Sequence, residues 1–370
     1  MKTEINVSNK KKKFSLQQIL VSNSVPILFL FICLGGIYAS KLHYIYILNE
    51  IVNRLDRNLF LVLSLIIPVL AGMGLNFALV VGAMAGQIGL IVIRIYGIGG
   101  IKGLLLATLI STPFAILFGY GTGIILNKTK GREMITSLIL GYFAMGLYQL
   151  VFLLFMGTII PVPNPEILLS GGIGVKNAID LDLIKYSLDN IWQVNFMGVK
   201  LPLFSFFLIA LLCLFIKFIT RTKLGQDFRA LGQDLHIAEV AGINVNKTRL
   251  IAIIISTVLA AWGQIMFLQN IGTLQTYSSH EQVGMFAVAA ILVGGASVTR
   301  ATIGQAILGT ILFHTLFIVS PNAGKELFGD SQIGEFFRSF IAYGVIALSL
   351  VLHAWQKNVE AMLRHKTEEA

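Results

Sequence analysis

The chain has 370 residues, of which 56% are hydrophobic and 12% charged, and its formal net charge is +10. A soluble domain carries about 25% charged residues, so this composition, with a mean hydropathy of +0.80, excludes a soluble globular protein and a disordered one. The positive charges cluster between apolar runs, which is typical of membrane topology signals and argues against a nucleic-acid partner.

The apolar runs predict an all-α fold, a polytopic transmembrane helical bundle of about ten spans, because about 20 apolar residues cross a bilayer. The spans are predicted at about 21–40, two within 59–93, then 103–126, 134–160, 203–220, 250–268, 284–298, 302–319 and 337–355. The eighth span is short for a full crossing. Such segments can be broken or re-entrant helices that protein or a water-filled cavity surrounds.

The lysines and arginines orient these spans. The basic clusters at 10–13, 128–132, 217–249 and 357–366, together with Arg300, fall on one face when ten crossings alternate. Short loops rich in Lys and Arg stay in the cytoplasm, so both termini are predicted inside. Arg54, Arg57 and Lys102 are exceptions that fall on the outer face.

One long loop, 161–202, is predicted on the outer face. It contains Glu166, Asp180, Asp182 and Asp189, and it is expected to form a partly helical cap. A solvated connector without a function of its own explains this composition equally well.

Spans 2–5 and 7–10 form two four-span blocks of opposite sense, as an inverted repeat requires. Residues 101–110 of the first block resemble residues 302–311 of the second. Both segments follow glycines, at 97–100 and at 294–295. The sequence therefore predicts an internal inverted repeat.

The inner loop 220–249 carries the most informative pattern. Phe228, Leu231, Leu235 and Ala238 recur at spacings of three and four, which predicts an amphipathic helix. Gly232 interrupts the pattern and Gly242 ends it, so we expect two short helices joined at Gly232, with Gly242 as a C-terminal cap. Periodicity alone also fits an interfacial helix that merely connects two spans.

This loop resembles the coupling loop of the branched-chain amino acid/ribose-type permeases of bacterial ABC importers. Members show T-x-x-G-x-x-x-x-A-x-G, a short gap and A-x-x-x-G-I-x-V. The matching positions are Thr222, Gly225, Ala230, Gly232, Ala238, Gly242, Ile243 and Val245. Similar small-residue runs occur at 72–90, 256–263 and 289–309, so the resemblance covers about residues 59–355.

The resemblance implies a membrane-spanning subunit that works with cytosolic ABC ATPase subunits, a second permease subunit and an extracytoplasmic solute-binding protein. Its inner loop would dock in a cleft of the ATPase. In that loop Gly225, Gly232 and Gly242 would set the turns, Phe228 and Leu231 would be apolar plugs, and Arg229 and Glu239 would be polar contacts. The chain has no G-x-x-x-x-G-K-[ST] phosphate loop, so ATP hydrolysis is assigned to a partner and no catalytic residue, cofactor or metal is expected.

Polar side chains inside spans are costly and tend to face a pathway or a partner helix. Asn76, Gln87, Gln264 and Gln305 are therefore candidates for the solute pathway, since amides both donate and accept hydrogen bonds. For any one of them, hydrogen bonding between packed helices is the simpler explanation. The small intramembrane charge argues mildly against a strongly charged cargo.

Other classes remain as alternatives. An ion-coupled secondary transporter also uses inverted repeats and broken helices, but no Asp or Glu lies inside a clearly assigned span, which disfavours proton coupling. A membrane enzyme is disfavoured because no H-E-x-x-H or G-x-S-x-G motif occurs in the spans. A channel lacks an obvious charged ring or filter sequence.

The sequence thus predicts a permease of the bacterial plasma (inner) membrane that contacts lipid and imports a small polar solute. Simple sugars are the first choice of cargo, with nucleosides and branched-chain amino acids as alternatives. The predicted organisation is a basic cytoplasmic segment (1–20), a permease domain (21–356) that includes the outer loop and the coupling loop (221–249), and a cytoplasmic tail (357–370).

Overall fold

The computed structural model describes residues 23–340 together with residues 343, 344, 346, 347 and 351. The predicted N-terminal segment, most of the tenth span and the predicted tail lie outside the described residues. The structure is a helical bundle with short strands in its loops, as the hydropathy pattern predicts.

The first half contains six α-helices and ends in the long loop. They are α1 (Ser24–Ser40), α2 (Tyr44–Ser64), α3 (Ile66–Leu70), α4 (Leu79–Ile95), α5 (Gly100–Lys128) and α6 (Glu133–Leu150), which continues as a π-helical turn, Val151–Phe155. The long loop contains a 3₁₀ turn, Pro165–Ile167, and strands β1 (Ala178–Asp180), β2 (Gln193–Phe196) and β3 (Val199–Pro202).

The second half begins with α7 (Leu203–Arg221), α8 (Lys223–Gln233), α9 (Leu235–Val240) and α10 (Val245–Ile271). Strand β4 (Thr273–Gln275) precedes α11 (Ser279–Val293) and α12 (Ile303–Phe328), and residues 331–340 are again helical. Strand β4 pairs antiparallel with β1, and β2 pairs antiparallel with β3.

Five described helices are long and apolar enough to cross a membrane: α5, α6 with its π-helical turn, α7, α10 and α12. Helices α1, α4 and α11 are apolar but shorter. The short α11 agrees with the shortness of the predicted eighth span.

The second and third predicted spans need correction. Both were placed within 59–93, but α2 begins at Tyr44 and carries Glu50, Arg54, Asp56 and Arg57. A search for uncharged runs misses this helix because its four charged residues interrupt the apolar sequence. The irregular segment 71–78 then separates α3 from α4.

Two of the prolines within helices release a carbonyl that a polar side chain of another element satisfies. Pro68 lacks an N–H for the carbonyl of Ser64, and the hydroxyl of Ser256 donates to that carbonyl at 2.9 Å. Pro321 likewise releases the carbonyl of Phe317, to which the guanidinium of Arg338 donates at 3.5 Å. These contacts fix α2–α3 against α10, and α12 against the following helix.

Helices α1 and α12 run parallel. The thiol of Cys33 donates to the carbonyl of Leu312 at 3.2 Å, and further along both helices Lys41 and Glu326 form an ion pair at 2.6 Å. The two predicted repeat blocks also share an order of elements: a long helix, an irregular segment, a short helix, a glycine turn and another long helix.

The long loop and the 222–244 segment lie at opposite ends of the bundle. The backbone of Gly100, at the start of α5, donates to Leu183 of the long loop at 2.8 Å. At the other end Arg249 of α10 pairs with Glu133 of α6 at 2.5 Å, and Asn127 at the end of α5 donates to Asn246. We call these the outer and inner ends, following the predicted orientation.

The Arg249–Glu133 pair gives a first prediction. Arg249 is completely buried, so Glu133→Gln leaves a buried charge without its counter-ion, which costs about 3 kcal/mol or more. We expect a clearly lower thermal unfolding midpoint in detergent for Glu133→Gln. The double variant Glu133→Leu with Arg249→Met removes both charges and should unfold closer to the wild type. Equal losses for the single and double variants would contradict this account.

Candidate functional site

The coupling segment, residues 222–244, consists of α8 and α9 with capped ends. The hydroxyl of Thr222 accepts from the N–H of Gly225 at 3.4 Å, and Asn244 caps α10 by accepting from Lys247 at 3.0 Å. Gly242 has φ +83° after α9, the left-handed conformation predicted for it. The two predicted short helices are therefore present.

Their junction is at Asp234, not at the predicted Gly232. The carboxylate of Asp234 accepts from the N–H groups of His236 and Ile237 at 2.8 and 3.0 Å, so it caps the first turn of α9. Gly232 instead lies within α8, where a β-carbon would be 2.5 Å from the carbonyl oxygen of Leu70. Glycine at this position lets α8 contact the end of α3 directly.

Phe228 and Leu231 hold α8 on the bundle. They are 0% and 2% exposed, and Phe228 belongs to the main hydrophobic core. The predicted role as plugs for a partner's cleft is therefore wrong for these side chains, because their apolar surface is already covered by their own chain. Gly225 also packs closely, with a β-carbon position 2.3 Å from the carbonyl oxygen of Ile219.

The surface that the coupling segment presents to the inner side comes mainly from α9. Ile237 and Val240 are 67% and 77% exposed, and Arg229 and Glu239 are exposed as predicted for polar contacts. The helical period of the stripe favoured Phe228 and Leu231, so it did not indicate these two apolar residues. Ile237 and Val240 thus form a small exposed apolar surface next to charged residues.

Two of the predicted pathway residues, Gln87 and Gln264, lie close together in the interior. The Gln87 carbonyl oxygen lies 2.9 Å from Nδ1 of His280, and Gln264 donates to the carbonyl of Ser279 at 3.4 Å. The ring of Tyr148 stands edge-on to His280 with centroids 5.1 Å apart. These four side chains form what we call the central polar cluster.

Each member of the central polar cluster keeps a buried polar atom without a hydrogen-bond partner among the described residues. These atoms are Gln87 Nε2, Tyr148 Oη, Gln264 Oε1 and His280 Nε2. An unsatisfied buried group costs about 1–3 kcal/mol, so the cluster retains donors and acceptors for water or for a polar solute.

Asn76 and Gln305, the other two predicted pathway residues, lie elsewhere. Asn76 accepts from the N–H of Ala78 at 3.1 Å in the segment that precedes α4. Gln305 forms a capping box with Thr302 and donates to the carbonyl of Gly295 at 2.7 Å, so it shapes the turn between α11 and α12. The structure does not bring the four predicted residues into one site.

A cavity of about 190 Å³ with several polar side chains in its wall opens beside the central polar cluster, towards the outer end. We call it the outer cavity. Helices α2, α10 and α11 and strand β4 line it with Asn58, Phe267, Ile271, Thr273, Gln275, Ser278, Ser279, Gln282, Val283 and Phe286. It combines three carboxamides, three hydroxyls and two phenyl rings, the mixture of few polar groups and aromatic faces that small-molecule sites use.

Hydrogen bonds shape the wall of the outer cavity. Ser278 donates to the side chain of Gln275 at 2.8 Å, and the hydroxyl of Ser279 accepts from the Gln275 N–H at 2.9 Å. Beside them Tyr277 donates to the carbonyl of Val175 at 2.6 Å. Burial raises the pKa of the Tyr277 phenol above its usual value, so it stays a donor at neutral pH.

The sequence alone does not indicate this cavity, because its residues come from an apparent connector between two spans and from the charged part of α2. The dense run of hydroxyls and amides from Thr273 to Gln282 was the available signal. A second, larger groove of about 910 Å³ between α5, α7 and α10 is lined almost entirely by apolar side chains. That groove offers a polar solute almost no hydrogen bonds.

A protein-family model matches residues 47–350, and its description is the permease component of branched-chain amino acid transport systems. The matched range includes the coupling segment, the central polar cluster and the outer cavity. No solved structure matches the chain.

The names of curated relatives mention several different transported solutes. The chain is 33% identical to the autoinducer 2 import system permease protein LsrC of Klebsiella pneumoniae subsp. pneumoniae, over 49% of each chain. It is 26% identical to the xylose transport system permease protein XylH of Haemophilus influenzae, over 47% of this chain and 46% of the relative. It is 27% identical to the nucleoside ABC transporter permease protein NupC of Lactococcus lactis subsp. cremoris, over 44% and 49%. The alignments thus span about half the length of these relatives.

Gly232 gives a second prediction. A methyl group in Gly232→Ala would meet the Leu70 carbonyl and force α8 away from α3, which should cost about 1–3 kcal/mol. We expect a lower thermal unfolding midpoint and faster limited proteolysis of the coupling segment. Gly121→Ala is the matched control, because a β-carbon there meets nothing within 4 Å. Indistinguishable behaviour of the two variants would refute the close contact.

Proposed function

The chain belongs to the permease family of branched-chain amino acid transport systems, and from this premise we propose that it imports a simple sugar. The family members are ABC importer permeases, and several apolar helices cross the inner membrane. Within that family the cargo is set by the residues that contact it, so the argument for a sugar rests on the outer cavity.

The outer cavity is the single observation that carries the proposal. Asn58, Gln275 and Gln282 offer amides that can both donate to and accept from neighbouring hydroxyl groups. Phe267 and Phe286 offer apolar faces against which the C–H face of a sugar ring can pack. The relatives named for xylose and autoinducer 2 support this cargo class.

A nucleoside is the second candidate. The two phenyl rings could stack on a nucleobase, while the amides and hydroxyls bind the ribose. The similarity to a permease named for nucleosides favours this alternative. It differs from the sugar proposal in requiring a planar base between Phe267 and Phe286.

We also propose that the exposed side of α9 docks the ATPase subunit that powers import. The coupling segment is fastened to the bundle by buried side chains, and α9 points Ile237 and Val240 away from it. A rigid element of this kind can pass a rigid-body movement from a partner to the helices. A second permease subunit and an extracytoplasmic solute-binding protein would complete the importer.

The docking proposal predicts that Ile237→Ser with Val240→Ser strongly reduces co-purification of the ATPase from nanodiscs. Both side chains are exposed, so the loss of apolar contact should weaken the complex about tenfold or more. Thermal unfolding of the isolated permease should be unchanged. Lys130→Ser, on another exposed loop at the inner end, should retain the ATPase. Full retention by the double variant would remove α9 from the interface.

The cargo proposal predicts that D-xylose gives a saturation-transfer NMR signal with the full-length chain in nanodiscs, and that Gln282→Leu weakens it about fivefold or more through the loss of hydrogen bonds. Gln282 is exposed to the cavity, so this change should not unfold the protein. Gln332→Leu, an exposed glutamine outside the cavity, is the control.

Adenosine and L-leucine serve as competing probes in the same experiment. A signal from adenosine alone would establish the nucleoside alternative. A signal from leucine alone, or xylose binding that Gln282→Leu leaves intact, would refute the sugar proposal.

A further inference from the structure

Helix α2 carries the two arginines that the sequence assigns to the outer face, Arg54 and Arg57. Arg54 and Arg57 lie three residues apart and so share a helix face. Both are only partly exposed. Ionisable groups at such positions are costly and commonly serve a bound ligand or a partner.

The guanidinium of Arg57 has no ion-pair partner among the described residues. Among the described residues no carboxylate oxygen lies within 4.0 Å of its nitrogens, and its buried Nε has no hydrogen-bond partner. Its Cζ lies 5.9 Å from the ring centre of Phe267. Phe267 lines the outer cavity, whereas Arg57 is not itself a lining residue, so the Phe267 contact places the guanidinium beside the cavity wall.

The neighbouring cations are engaged elsewhere. Arg54 pairs with Glu50 at 3.6 Å, and Arg338 pairs with Glu335 at 3.7 Å while donating to the carbonyl that Pro321 releases. These contacts leave Arg57 as the group available to a ligand.

The neighbouring acids form no ion pair with Arg57 in the described part of the chain. Asp56 lies near Arg57 as well as near Asp189 and Ser205, but its carboxylate oxygens are buried without a hydrogen-bond partner and none lies within 4.0 Å of an Arg57 nitrogen. Asp189 accepts from Ser205, Gln269 and Asn270 at 2.7, 3.0 and 2.9 Å. Neither acid therefore neutralises Arg57 through an ion pair.

We propose that Arg57 binds an anionic group of the imported solute, a carboxylate or a phosphate, beside the wall of the outer cavity. The planar guanidinium presents paired N–H donors that match the oxygens of either group. The ring of Phe267 holds the guanidinium in place and shields one side of it from water. The cargo is then an acidic derivative of a small sugar, with its hydroxyls in the cavity and its anionic group on Arg57. This inference rests on the proposed import function and narrows its substrate class.

The test compares three probes that share one carbon skeleton: neutral D-xylose, D-xylonate and D-xylose 5-phosphate. Saturation-transfer NMR is recorded on the full-length chain in phosphatidylcholine nanodiscs, with empty nanodiscs as background. We expect one of the anionic probes to bind at least about tenfold more tightly than xylose, as a charge-assisted hydrogen bond implies.

Arg57→Gln should abolish that preference, so that the three probes bind this variant equally. Arg57→Lys should keep part of it, because the positive charge remains but the paired donors are lost. Arg132→Gln, an exposed arginine at the inner end, is the matched control and should keep the full preference.

Equal binding of the three probes by the wild type, or a preference that survives Arg57→Gln, would overturn the inference while leaving the sugar proposal standing. Failure of both anionic probes to bind would overturn it too. If xylose also fails to bind, the proposal that the outer cavity binds a sugar is overturned as well.

A lipid headgroup could supply the same phosphate chemistry. Native mass spectrometry of the wild type and Arg57→Gln separates this source from a soluble solute. A phospholipid retained by the wild type and lost from Arg57→Gln would show that Arg57 binds a lipid headgroup. That result would overturn the proposal that Arg57 binds the solute.

Discussion

The crossing of α4 and α10 is the contact on which the rest of the bundle depends. A β-carbon at Gly82 would lie 2.5 Å from the carbonyl oxygen of Thr257, and one at Gly86 would lie 2.5 Å from that of Ala261. Lipid supplies no hydrophobic drive for helices to associate, so close backbone packing through small residues must do so. The crossing explains why Gln87 and Gln264 meet in the interior, since each follows this contact on its own helix.

Because α10 is fixed at its centre, it connects the two ends of the molecule. Its first turns hold the buried Arg249–Glu133 pair beside the coupling segment. Its last turns supply Phe267 to the outer cavity, and Gln269 and Asn270 to Asp189 of the long loop. A helix of 27 residues spans about 40 Å, so a movement of α8 and α9 can reach the cavity through one rigid element.

Sequence patterns predicted the helices that are determined by residues close together in the sequence. Long uncharged runs located α5, α7, α10 and α12, and the loop motif located both coupling helices. The patterns failed where contacts with residues distant in the sequence decide the position of a side chain. Phe228 has the spacing of a docking residue, but the core of its own chain covers it. Arg57 was expected only as an exception on the outer face, whereas it lies within helix α2, beside Phe267 of the cavity wall. The cavity itself is lined by residues of α2, β4 and α11, which lie too far apart in the sequence to form one local pattern.

The outer cavity and the central polar cluster adjoin each other at Ser279. Ser279 lines the cavity with its side chain, while its carbonyl accepts from Gln264. The next residue, His280, is linked to Gln87 of α4 at 2.9 Å. Under the proposed import function, a solute that leaves the cavity inward has to separate α11 from α4 and α10 and break these two contacts. The unsatisfied atoms of the cluster can then bind the hydroxyls of the solute, which offsets part of the cost of that separation. In the proposed route, the same side chains thus hold the helices together in this state through one set of atoms, and can lower the barrier through their other polar atoms when α11 moves.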